Sequence, residues 1–95
     1  HLLAGMLPHR PEKPREGAVE LYVNWGFSAG KKHKHWEPKV TRPDTDNLQK
    51  LLKDCMTQCG FWKDDAQVFA EHVFKFWSET PKIHVEIVGL SDEDG

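Results

Sequence analysis

From Val19 to Phe27 the apolar residues fall on the odd positions, Val19, Leu21, Val23, Trp25 and Phe27, with Glu20, Tyr22 and Asn24 between them. Successive side chains of a strand point to opposite faces, so this period predicts a strand with one face on a core. The period changes after Pro43. On a helical wheel Leu48, Leu51, Leu52, Cys55 and Cys59 share one side, while Asp46, Lys50 and Asp54 line the other at i, i+4, i+8. That pattern predicts a helix from about Asp46 to Cys59, with Gly60 as its stop. Phe61 to Asp65 is a short turn. Val68 to Trp77 and Ile83 to Val88 read as strands, the second with Ile83, Val85 and Ile87 on one face. The residues around Thr80 and Pro81 are few enough to join them as an antiparallel hairpin. At the other end, Leu2 to Leu7 look like the end of an apolar helix. Pro8, Pro11 and Pro14 make the stretch from Pro8 to Gly17 a connector.

These elements describe a small α/β (α+β) domain over residues 1–95, a mixed and largely antiparallel sheet packed against two helices. A chain of 95 residues is near the size at which one core suffices, so burial between subunits would help it. Residues 91–95 form an acidic tail. No apolar run approaches the roughly 20 residues of a membrane span, and no signal-peptide pattern opens the chain, so no membrane partner and a cytoplasmic location are expected. Cys55 and Cys59 have no second pair at zinc-ligand spacing and are expected to be buried thiols of a reducing compartment.

Charge alters this picture in two places. The whole chain has a net charge of −2, but Lys31, Lys32, Lys34, Lys39 and Arg42 stand against Glu37 alone in the loop before the helix, a local charge of +4. Five carboxylates, Asp44, Asp46, Asp54, Asp64 and Asp65, follow in one central stretch. Divalent cations held there would cancel its charge where a phosphate would sit, so a basic loop beside it is compatible with nucleic acid.

The central stretch reads Pro43-Asp44-Thr45-Asp46-Asn47-Leu48-Gln49-Lys50, then Asp54, then Gly60-Phe61-Trp62-Lys63-Asp64-Asp65-Ala66-Gln67-Val68. Phosphodiester hydrolysis needs a nucleophilic water, neutralised phosphate charge and a stabilised leaving oxygen. Carboxylate-bound Mg²⁺ or Mn²⁺ supplies all three. Asp44 and Asp46 flank the turn into the helix and can point to one mouth, with Lys50 one turn above Asp46 for a phosphate oxygen. Taken singly, each piece has a plainer reading: a helix cap for Asp44 and Asp46, a solvated partner of Asp46 and Asp54 for Lys50, a turn for Asp64 and Asp65.

In combination, DxDNLQK, Asp54 and GFWxDDAQV resemble the central signature of RusA-like crossover junction endodeoxyribonucleases. The match is close from Pro43 to Val68 and looser through the last strands, including Lys75, a little over half the chain. The resemblance implies metal-binding aspartates at Asp44, Asp46 and Asp65, and a catalytic lysine at Lys50. Asn47, Asp54, Asp64 and Lys75 take supporting positions. It further implies a phage- or prophage-associated homodimer dependent on Mg²⁺, with Mn²⁺ as substitute, that nicks four-way (Holliday) junction DNA symmetrically. The basic loop residues Lys31, Lys32, Lys34, Lys39 and Arg42 would hold the DNA. Two departures stand out: the family's usual first strand is not visible, and the loop from Ser28 to Arg42 is long and basic.

Two other readings remain. One is a relative that binds branched DNA without cutting it, against which the intact Asp44, Asp46, Asp65 and Lys50 speak. The other is a Mg²⁺-dependent phosphotransfer enzyme acting on nucleotides, for which the sequence offers no glycine-rich phosphate loop. His33 and His35 read as a flexible, exposed pair, because no third metal ligand lies near them in sequence. Trp36 is suited either to stacking on an exposed base or to packing across a dimer interface.

Overall fold

The alternation in β1 (Ala18–Ser28) is realised residue by residue: Val19, Leu21, Val23 and Trp25 are buried on one face, and Tyr22 is exposed on the other. The computed structural model describes residues 5–90. Its other regular elements are α1 (Thr45–Cys59), β2 (Val68–Ser78) and β3 (Lys82–Leu90), with 3-10 turns at Leu7–His9 and Asp65–Gln67. Of the helix expected over Leu2 to Leu7, the described half has Gly5 and Met6 helical and Leu7 opening the 3-10 turn; residues 2–4 and the acidic tail lie outside the described residues.

The three strands form a mixed sheet in the order β2-β1-β3. β1 runs parallel to β2, with Val23 opposite Val73, and antiparallel to β3, with Val23 opposite Val85. The expected β2–β3 hairpin is therefore not made. Instead, residues 79–81 carry the chain across the end of β1. The strand with the most regular apolar face takes the centre, where both its edges are paired, and the more polar β2 and β3 take the edges. The crossing runs close to Gly26, where a Cβ would lie 3.1 Å from Ser78 Cβ and 3.3 Å from the Lys82 carbonyl oxygen.

α1 packs Leu48, Leu52, Met56 and Cys59 against the β1 face, and Phe61 and Trp62 from the following turn close the core. The buried stripe is not the one the apolar pattern implied. Leu51 is 53% exposed and Cys55 only half-buried, whereas Gln49 is 5% exposed. The reason is a polar contact: the Trp25 indole N–H, buried in the core, donates to Gln49 Oε1 at 2.9 Å. A buried indole N–H needs an acceptor, and meeting that need draws Gln49 inward and turns Leu51 outward. Gly60 ends the helix in the left-handed region (φ 82°), its N–H donating to the Met56 and Thr57 carbonyls.

The basic loop is fixed along the outer edge of β2. Trp36 N–H donates to the Trp77 carbonyl and Trp77 N–H to the Glu37 carbonyl, each at 2.8 Å; Lys39 N–H reaches the Lys75 carbonyl at 3.1 Å. These bonds satisfy an edge that would otherwise be open. His33 and His35 are accordingly not a flexible pair. The His33 ring stacks on Trp77 at 4.0 Å and its Nδ1 is 2.8 Å from Glu37 Oε2, while His35 Nδ1 accepts from Glu79 N–H at 3.2 Å. Trp36 stacks on Phe76 of its own chain at 4.4 Å and remains 58% exposed. Lys39 is the largest departure from expectation. It is 8% exposed, with its ammonium 4.3 Å from the Trp77 ring centroid and 2.6 Å from Thr41 Oγ1, so it holds the loop together and does not face a ligand.

Adjacent leucines provide the test of this helix orientation. Leu52→Ala should cost about 2–5 kcal/mol through lost burial and a residual cavity. Leu51→Ala should stay within about 0.5 kcal/mol of the parent in the dissociated chain, because its side chain is exposed there. Denaturant midpoints of the two variants check this, and equal losses would place Leu51 in the core.

Candidate active site

A cleft of about 410 Å³ opens where α1 meets β2. One wall is α1, contributing Asp46, Gln49, Lys50, Lys53 and Asp54; Asp65 and the β2 residues Glu71 and Val73 form the other side. The helix side follows from the burial of Gln49. With Gln49 at the border of the core stripe, the 100° step of the helix sends Asp46, Lys50 and Asp54 outward on the same flank.

Asp65 reaches the cleft because Asp64 builds the turn beneath it. Asp64 Oδ1 accepts from Ala66 N–H at 2.8 Å, and Gln67 Oε1 accepts from the Lys63 and Asp64 N–H groups at 2.9 and 3.0 Å. Gln67 Nε2 donates to the Arg15 and Gly17 carbonyls at 2.8 and 2.9 Å, tying the turn to the connector before β1. Asp64 thus serves as a reciprocal cap, and the neighbouring Asp65 has no side-chain bond among the described residues.

Asp44 occupies the N-cap position of α1 in an extended conformation (φ −74°, ψ 151°), yet its side chain makes no capping hydrogen bond. The plain capping reading of this aspartate therefore does not hold in the structure. Asp44 is exposed and stands outside the lining of the cleft, as does the exposed Asn47. Lys75, on β2, donates to the Thr41 and Pro43 carbonyls, both at 2.7 Å, immediately before Asp44.

Sequence reasoning missed Gln49, Lys53 and Glu71. Glu71 Oε1 accepts from Gln49 Nε2 at 3.0 Å and Glu71 Oε2 from Lys53 Nζ at 2.8 Å, so a chain of hydrogen bonds runs from Trp25 in the core to the cleft. Burial pushes the Glu71 pKa up, but the bonds from Lys53 and Gln49 and the charge of Lys53 outweigh it, leaving the carboxyl below its ordinary range. A signal for Glu71 was present, because strand alternation places it on the same face as Val73.

The carboxylates around the cleft divide by pairing. Asp64 and Glu71 are satisfied within the chain, whereas Asp44, Asp46, Asp54 and Asp65 have no side-chain hydrogen bond or ion pair among the described residues. Lys50, on the same cleft, is also without a described ion pair, so it is not bound to Asp46 or Asp54. Unpaired carboxylate oxygens are the right donors for a hard divalent cation. They are not gathered on one point: among the described residues no three His, Cys, Asp or Glu side chains are close enough to hold an ion.

Comparison with known proteins gives this geometry its context. The family model described as Endodeoxyribonuclease RusA matches residues 2–88. This chain is a member of the RusA family. It is 33% identical over 88 residues to a Lactococcus phage r1t protein named crossover junction endodeoxyribonuclease rusA, covering 90% of this chain and 67% of that one. An uncharacterized Bacillus subtilis protein, YqaN, is 37% identical over 94 residues, covering 87% of this chain and 66% of its own length. The Escherichia coli K12 crossover junction endodeoxyribonuclease RusA is 53% identical over 38 residues, 40% of this chain and 32% of that protein. The chain thus spans about two thirds of the length of the first two relatives and about a third of the last.

The lowered pKa of Glu71 gives a signed expectation. A depressed carboxyl stabilises the fold above its ordinary pKa, and that contribution disappears as pH falls through the lowered value. Glu71→Gln should therefore melt below the parent at neutral pH and converge with it in acid. Melts across a pH series check this, and a gap independent of pH would contradict the pairing.

Proposed function

We propose that this RusA-family chain is a structure-selective, metal-dependent DNA endonuclease that resolves four-way junctions by paired, symmetric phosphodiester hydrolysis. The observation that carries the reading is the set of groups unpaired among the described residues, Asp46, Asp54, Asp65 and Lys50, on one cleft beside the satisfied carboxylate of Glu71. Two relatives similar to this chain carry the name crossover junction endodeoxyribonuclease.

In this reading Asp44, Asp46 and Asp65 hold a divalent cation, Mg²⁺ or in its place Mn²⁺. Held there, such a cation would neutralise phosphate charge and lower the pKa of attacking water. Lys50 meets a phosphate oxygen and stabilises the charge that develops on it. Asp54, one turn beyond Lys50, orients a water in the cleft. Glu71 and Lys53 set the far wall and keep Gln49 in place. The exposed Lys31, Lys32, Lys34 and Arg42 lie along the backbone of a junction arm; the buried Lys39 takes no part in that contact.

Paired nicking needs two sites, so a homodimer is part of the proposal. It is supported by an apolar groove of about 880 Å³ that includes Met6, the exposed Leu51, Ile83 and Val85 and that a second copy would cover. Among the described residues no helix is long and apolar enough to cross a membrane. Two free cysteines, one buried and one half-buried, suit the cytoplasm proposed for this activity.

Asp46→Asn and Asp65→Asn should each abolish cleavage of a synthetic four-way junction while leaving junction binding in place, since each removes charge but little volume. Chelation should have the same effect on the parent. Parent-like cutting by either variant, measured in single turnover with Mg²⁺, would refute the site. Lys50→Ala should slow cleavage far more than it weakens binding, because it acts on charge present only in the transition state.

The loop supplies a separate expectation. Each neutralised phosphate contributes about −0.9 to the slope of log affinity against log salt. Replacing Lys31, Lys32 and Lys34 with Ala should flatten that slope and weaken junctions and duplex alike. An unchanged slope would remove the loop from the DNA.

A further inference from the structure

We infer that Lys75 is a positioning residue for the metal-binding end of α1: its ammonium fixes the peptide that delivers Asp44. The inference rests on the metal reading above. Lys75 lies in β2, opposite Trp25 of the central strand, on the sheet face that carries the helix. Its Nζ donates to the Thr41 and Pro43 carbonyls, both at 2.7 Å. The Pro43 carbonyl belongs to the peptide whose nitrogen is that of Asp44, so the orientation of that peptide is set by a cation from the edge strand β2. An ammonium has three donors and no acceptor, and its charge strengthens bonds to carbonyl oxygens.

The same short segment is held a second time. Lys39 N–H donates to the Lys75 carbonyl at 3.1 Å, and the Lys39 ammonium, caged by Trp77 and Phe27, reaches Thr41 Oγ1 at 2.6 Å. Thr41 is thus gripped through its side chain by one lysine and through its carbonyl by the other. Two consequences follow for the site. Asp44 has no side-chain bond of its own to direct it, so its direction comes from the backbone. The start of α1 is anchored to β2, which is also the strand that carries Glu71 on the opposite wall of the cleft. Lys75 therefore belongs to the machinery without facing the DNA: two of its three donors are used on the protein's own carbonyls.

The test compares the parent with Lys75→Met, Lys75→Arg and Asp46→Asn. Mn²⁺ affinity is measured by calorimetry without DNA, junction affinity in chelator, and cleavage in single turnover at saturating protein. Removing an outer partner of a metal site commonly costs about 10–100-fold in affinity, and Lys75→Met should weaken Mn²⁺ binding and slow cleavage by about that much. Its junction affinity in chelator should match the parent, and Lys75→Arg, which keeps charge and donors, should recover most of both losses. Should Lys75→Met not fold, as judged by circular dichroism, Lys75→Gln takes its place with N–H donors retained on a neutral side chain. Parent-like Mn²⁺ affinity in folded Lys75→Met, or in the Lys75→Gln that replaces it, would overturn the inference, provided Asp46→Asn loses Mn²⁺. Loss of junction affinity in chelator as large as the loss of rate would also overturn it, by making Lys75 a DNA contact. Parent-like Mn²⁺ binding by Asp46→Asn would instead remove the metal reading and this inference with it.

Discussion

The hydrogen bond from Trp25 to Gln49 is small in area and large in consequence. Trp25 lies in the central strand with its ring in the core, and leaving its N–H unpaired there would cost about 1–3 kcal/mol. Gln49 answers it at 2.9 Å, and this sets the rotation of α1 about its axis. Leu51 then faces solvent, Leu48, Leu52 and Met56 face the sheet, and Asp46, Lys50 and Asp54 face the cleft. The other end of the glutamine reaches Glu71, so the same side chain joins the core to the acidic wall.

Around that anchor the chain separates carboxylates that maintain structure from carboxylates left free. Adjacent residues show the division best. Asp64 closes the turn through Ala66 and Gln67, while Asp65 carries no side-chain bond among the described residues. Lysines divide in the same way. Lys39 and Lys75 hold the segment before Asp44, and Lys53 holds Glu71, whereas Lys50, on the cleft, has no partner among the described residues. Several charges in close sequence therefore have different work, and only their bonds tell them apart. The stretch that resembles the family signature contains both kinds, Asp64 and Gln49 paired and Asp46 and Asp65 without a side-chain bond among the described residues.

The basic loop shows how an apparent surface feature becomes part of the fold. Its backbone pairs with β2, His33 and Trp36 stack on Trp77 and Phe76, and one of its lysines is caged between rings. What remains outside is a shorter basic run, Lys31, Lys32 and Lys34, with Arg42 at the far end. Held against the strand, these cations keep a fixed relation to the cleft, which a free loop would not give.

The sequence by itself determined the local elements, because periodicity acts within a few residues. The alternation of Val19 to Phe27 and the helical spacing after Asp46 appear in the structure almost to their ends. The motif drew attention to Asp44, Asp46, Asp54, Asp64 and Asp65 together, and only the structure separated the paired Asp64 from the four that are unpaired among the described residues. Tertiary structure decided what depends on contacts between distant parts of the chain. The place of β1 between β2 and β3 was invisible, because a three-residue link is equally compatible with a hairpin and with a crossing over a strand end. The burial of Gln49 and exposure of Leu51 came from an indole 24 residues away from the glutamine in sequence. Lys39 looked like its basic neighbours until Trp77 was placed over it, and Glu71 joined the cleft only once β2 lay beside α1. Hydrophobicity is a property of a residue and can be read along the chain; the pairing of a polar group is a property of two residues, and the second has to be found in space.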